Sequence, residues 1–118
     1  MSPTRLTKTQ RRRARQLAEA GWQAELSEAL RDLQGLFGDW RRGHLDAFQL
    51  SDAIHEFHDG PNRDLFKRYT RLPPEMAAAR AVALDLVDPA EVPDDLREAL
   101  GGLIDFWREE VGRVGEDG

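Results

Sequence analysis

The chain has 118 residues, of which 40% are hydrophobic and 33% charged, with no cysteine and a formal net charge of −5. That length suits one domain with one hydrophobic core, the composition argues against wholesale disorder, and the lack of thiols excludes disulfides, thiol catalysis and cysteine-ligated zinc or iron–sulfur centres. The charge is unevenly placed: residues 1–15 carry Arg5, Lys8, Arg11, Arg12, Arg13 and Arg15 and no acid, while the remaining residues hold 11 Lys/Arg against 22 Asp/Glu.

In chain order, residues 1–16 read as a basic N-terminal arm ahead of a single helical domain at 17–112, with 113–118 a frayed tail. The apolar positions Leu6, Ala14 and Leu17 are too sparse to demand packing, and no apolar core follows the basic residues as a secretory leader requires. From Trp22 to Trp40 the spacing predicts a helix, because Leu26, Leu30, Leu33, Phe37 and Trp40 recur at 4-3-4-3 intervals. Gly43 supplies a C-terminal stop after Arg41 and Arg42, whose charges suit that end of the helix dipole.

Asp46 then caps a second helix over 46–58, with Gln49 completing a capping box and Leu45 and Leu50 placed as a hydrophobic staple. "DGPN" at 59–62 reads as a break, followed by a short helix at 62–71. "LPPE" introduces an alanine-rich helix at 74–87, and "DPAEVP" a single turn capped by Asp88. The last helix is expected at 94–112, its Leu96, Leu100, Leu103 and Trp107 repeating the 4-3-4 spacing while Gly101 and Gly102 weaken its middle. No alternating strand pattern of useful length and no repeat is present. The expected fold is all-α, a compact bundle of about five helices with the basic arm in front.

"DAIHEFHDG" is the one stretch that suggests site chemistry. His55 and His58, three apart, lie on neighbouring positions of a helix, and with Asp59, and His44 from the preceding loop, they offer nitrogen and oxygen ligands of the kind zinc, manganese or iron accept. The pattern is not the HExxH motif, which needs its histidines four apart. The competing explanation is architectural: His58 ends the helix, where an imidazole meets the last free carbonyls, and Asp59 pairs with His55.

A calcium loop is excluded in "FGDWRRGHLDAFQL", because the first ligand positions fall on Gly38, Trp40 and Arg42. No nucleophile elbow surrounds Ser51, and no phosphate loop is present. No cofactor is therefore expected.

Residues 36–69, "LFGDWRRGHLDAFQLSDAIHEFHDGPNRDLFKRY", are similar to small bacterial proteins of unassigned function that carry a comparable IHEFHDG segment. The resemblance implies that 36–69 forms one unit and brings no activity with it.

Two kinds of partner follow from the rest. Trp22, Trp40 and Trp107 fall near helix ends or on stripes, where a half-exposed indole anchors an interface; a helical body of this size also covers surplus apolar surface by dimerising. The cations from Arg5 to Arg15 are able to neutralise phosphates, although no aromatic residue among them is available for base stacking. The expectation is a cytoplasmic, non-enzymatic protein-interaction or regulatory module. The alternatives are a nucleic-acid-associated regulator using residues 5–15, and a metal-dependent hydrolase or lyase built on His55 and His58. No apolar run reaches the ~20 residues needed to span a bilayer, so no membrane role is expected.

Overall fold

The computed structural model describes residues 5–117, with side chains as far as Gly112. The first four residues of the expected arm and the side chains from 113 onward lie outside it. The all-α expectation is met. Six α-helices occur and no strand is found among the described residues: α1 (Lys8–Arg41), α2 (Ala47–Phe57), α3 (Arg63–Arg71), α4 (Pro74–Ala83), α5 (Asp94–Ala99) and α6 (Gly101–Asp117). A π turn at His58–Asn62 joins α2 to α3, and a 3₁₀ turn at Pro89–Glu91 precedes α5.

α1 begins far earlier than its apolar stripe suggests. Thr7 caps it: its hydroxyl accepts from the Gln10 N–H at 3.1 Å, while the Gln10 side chain accepts from the Thr7 N–H at 3.0 Å. This reciprocal box satisfies two otherwise orphaned donors. The expected boundary at residue 16 thus falls inside a continuous helix. The other end of α1 follows expectation, with Gly43 at φ 81° allowing the His44 and Gly43 N–H groups to reach back to Asp39 and Trp40. Only a left-handed residue closes a helix in this way. Asp46 and Gln49 form the expected capping box on α2, at 2.8 and 2.9 Å.

Four expectations are corrected. "DGPN" is not a break: α2 continues through the π turn into α3, with Pro61 inside the turn. In a π turn each carbonyl reaches five residues ahead, so the residue opposite Phe57 is Asn62, which has an N–H, rather than Pro61, which has none. α4 stops at Ala83 rather than 87, because Asp85 at φ 55° closes it through bonds from Asp85 and Leu86 to Val82 and Ala81. The expected helix at 94–112 divides at Leu100, just before its glycine pair. The backbone at 113–117, expected to fray, is the end of α6.

Residue packing groups the chain into two compact units. Unit 1 comprises residues 1–21 and 72–118, and unit 2 comprises residues 22–71. In unit 1, Ala77–Val82 of α4 are buried on every side. Alanine makes this feasible, since its short side chain lets neighbouring helices approach closely while costing no rotamer entropy. Around α4 lie Leu6, Ala14 and Leu17 from the start of the chain, Val92, Leu96 and Leu100, and Ile104 of α6. Gln10 donates to Asp95 at 2.9 Å, and Trp107 donates to the Met76 carbonyl at 3.1 Å.

Unit 2 is thinner. It pairs Trp22–Arg41 of α1 with the rod formed by α2, the π turn and α3. Trp22 stacks on Tyr69 at 5.6 Å and meets Phe66 edge-on at 6.0 Å. The Tyr69 hydroxyl donates to the Glu25 carboxylate at 2.6 Å. Among its described side chains only Leu50 and Leu65 are buried apolar ones.

Candidate functional site

The two rods of unit 2 run antiparallel. Trp22 and Glu25 lie opposite Phe66 and Tyr69 at one end, Ala29 and Leu36 share a groove with Pro61 and Ala53 midway, and the Gly43 turn closes the other end. At about 100° per residue, Leu26, Leu30, Leu33 and Phe37 form one stripe of α1, and Leu50, Ile54 and Phe57 one stripe of α2. Leu50 is buried and Leu33 and Phe57 half-buried at the seam between the rods. Leu30, Phe37 and Ile54 stand on the flank and remain 46%, 39% and 40% exposed.

Antiparallel helices advance around their axes in opposite senses, so these two flanks turn to the same side of the pair. Phe66, 57% exposed, extends that side beyond the π turn. There, with Trp22, Leu26, His58, Asp59, Asn62 and Arg63, it lines a groove of about 350 Å³. Trp40, 44% exposed, stands at the turn end.

Charge divides along the same line. The positions flanking the apolar side are Gln23, Ser27, Gln34 and Arg41 on α1 and Ala47 and Ser51 on α2. The carboxylates of Glu28, Asp32, Asp39, Asp52 and Glu56 fall on the opposite side of the wheel, where Asp32 and Glu56 line a second groove of about 260 Å³. Unit 2 is therefore an amphipathic layer with one acidic face and one apolar face whose charges, Arg41, Asp59 and Arg63, stand at its ends.

The histidines do not build a centre. His44, His55 and His58 are all exposed. His58 lines the Trp22–Phe66 groove with Asp59, and His55 does not. No group of three His, Asp or Glu among the described residues is placed to hold a metal ion. The spacing of three was counted on one regular helix, whereas His58 opens the π turn; that turn also removes the helix end at which its imidazole was expected to act as a cap.

The six cations of the first segment separate into two roles. Arg13 turns inward, donating to the Glu91 carbonyl at 2.6 Å and to its carboxylate at 2.9 Å. Lys8, Arg11, Arg12 and Arg15 occupy i, i+3, i+4 and i+7 of the outer face of α1 and are exposed, with Arg5 exposed just ahead of the helix. Of the three tryptophans, Trp22 is half-buried in its stack and Trp107 is half-buried and hydrogen-bonded, leaving Trp40 as the exposed one.

Sequence reasoning missed Ile54 and Phe66 as surface residues. The signal was present in the breadth of the α1 stripe, since Ala29, Leu36, Leu26, Leu30 and Phe37 together span more than one facing helix covers. A scan against models of protein families and searches of curated proteins and of solved structures find no match to this chain.

Proposed function

We propose that this protein is a non-enzymatic, cytoplasmic helical interaction module, acting as an accessory or regulatory subunit through the apolar side of unit 2. One observation supports this above all: a two-helix layer leaves Leu30, Phe37, Ile54 and Phe66 between 39% and 57% exposed on one side. Helical domains are stable when layers cover one another, and exposed apolar surface rimmed by polar residues marks binding sites. Among the described residues no helix is long and apolar enough to cross a membrane, which leaves a macromolecular partner as the simpler cover.

A photo-crosslinking amino acid placed at Phe37 in living cells tests the reading. Protein adducts are expected from Phe37 and not from Asp52 on the acidic side; no adduct from Phe37 overturns it.

The exposed stripe of Lys8, Arg11, Arg12 and Arg15 favours a second reading, binding to a nucleic-acid backbone. Four phosphate contacts would make affinity fall about 100-fold between 50 and 200 mM salt. Gel-shift titrations with all four residues changed to Glu test this, and unchanged binding rejects it.

A further inference from the structure

Resting on the interaction reading above, we infer that the occupant of the apolar side of unit 2 is a second copy of this chain, two helical pairs closing face to face into a four-helix bundle. Three observations carry the inference.

The first is charge. Because the molecule is acidic overall, self-association is opposed unless the carboxylates are kept apart. In unit 2 five of them are: Glu28, Asp32, Asp39, Asp52 and Glu56 lie behind the apolar side, whose flank carries Gln23, Ser27, Gln34 and Ser51, with Arg41 toward the turn end and Asp59 beside Arg63 in the groove at the other. A two-fold interface presents the same patch to itself, so any strongly charged rim would repel its own image. A rim that is uncharged along its middle, with Arg41 at one end and Asp59 beside Arg63 at the other, meets that condition.

The second is area. Leucine, isoleucine and phenylalanine side chains exposed to the extents seen at Leu30, Phe37, Ile54 and Phe66 place roughly 350 Å² of apolar surface on this side. That matches the apolar part of an interface burying about 600 Å² per partner, the lower end of the range for specific association.

The third is geometry. An antiparallel helix pair with a one-sided stripe is half of a four-helix bundle, whose core is made when two such layers meet. Leu30 and Phe37 supply the exposed knobs from one rod, and Ile54 and Phe66 those from the other.

Sedimentation equilibrium of the full chain, from about 1 to about 100 μM, is expected to show twice the 13.4 kDa chain mass, corresponding to micromolar or tighter association. Leu30→Glu and Ile54→Glu change exposed positions and are expected to keep the helical circular dichroism while weakening association about 100-fold or more. Phe48→Glu, at a residue 82% exposed on the other side of α2, is expected to remain dimeric.

A wild-type monomer at the highest concentration overturns the inference. So does a dimer indifferent to both Leu30→Glu and Ile54→Glu. The crosslink at Phe37 separates the two claims: an adduct with another protein and a monomeric chain remove the second copy but keep the interaction module, and no adduct removes both.

Discussion

Two stretches of this chain carry the same apolar spacing and meet opposite fates. In unit 1, Leu96 and Leu100 are 1% and 0% exposed, with Leu103 and Trp107 packed against the same core. In unit 2, Leu30, Phe37 and Trp40 repeat that spacing and are 39–46% exposed. The difference lies in what stands opposite. Unit 1 places an alanine-rich helix in the middle, so that the start of α1 and the α5–α6 stripe both find a neighbour, whereas unit 2 offers its stripe one neighbour and a free side. A 3.6-residue period establishes that a helix has an apolar face; it does not establish that this chain supplies the cover.

The comparison is broken most severely by removing residues 1–16. Ala14 is fully buried, Leu6 nearly so, and Arg13 and Gln10 anchor Glu91 and Asp95. Deletion is expected to abolish slow hydrogen exchange at the α4 amides, while preserved protection would show that unit 1 stands without the segment. For the same reason, truncation is the wrong way to ask whether the basic stripe binds a partner, and charge reversal at the exposed positions is the right one.

Next in size, Leu96→Ala is expected to cost about 3 kcal/mol in urea denaturation, the usual result for a leucine truncated inside a closed core. Ile54→Ala, on the uncovered side, is expected to move the same measurement by under about 0.5 kcal/mol in dilute protein. Equal losses would mean that unit 2 is as closed as unit 1.

The caps sharpen the contrast at smaller scale. Asp46→Ala removes one half of the α2 capping box and is expected to lower stability by about 1 kcal/mol, read as faster exchange of the first α2 amides. The smallest effect has the opposite sign. Asp85 holds a left-handed conformation at φ 55°, which glycine adopts without a steric cost, so Asp85→Gly is expected to raise the unit 1 melting midpoint by the equivalent of about 0.5 kcal/mol.

What the sequence disclosed depended on how local its causes were. Gly43, the Asp46–Gln49 box and the Asp88 cap act within a few residues, and each was readable. The start of α1 was equally local, since Thr7 and Gln10 follow the Ser/Thr-x-x-Glu/Gln pattern, but attention to large apolar residues hid it. The core of unit 1 was harder to read because its centre is Ala77–Val82, small residues that show no stripe.

The candidate surface was half legible. Leu30, Phe37 and Trp40 were visible as a ridge, but their exposure depends on the absence of a third rod in unit 2, which is a tertiary fact. Among the described residues the histidine pair is joined by no third ligand placed to hold a metal ion, because such convergence depends on tertiary neighbours that spacing does not reveal.

The π turn makes the orientation of α3 depend on a single residue. Shortening the chain by one position between Phe57 and Leu65 would shift α3 by about 100° and 1.5 Å relative to α2, swinging Phe66 and Tyr69 away from Trp22 and Arg68 away from the Glu25 carboxylate, which it meets at 3.8 Å. Pro61 stands guard over that setting, because a regular α-helix through its position would set its ring against the Phe57 carbonyl. Length variation at this point, rather than any change of side chain, would be the quickest way to re-aim the aromatic end of unit 2.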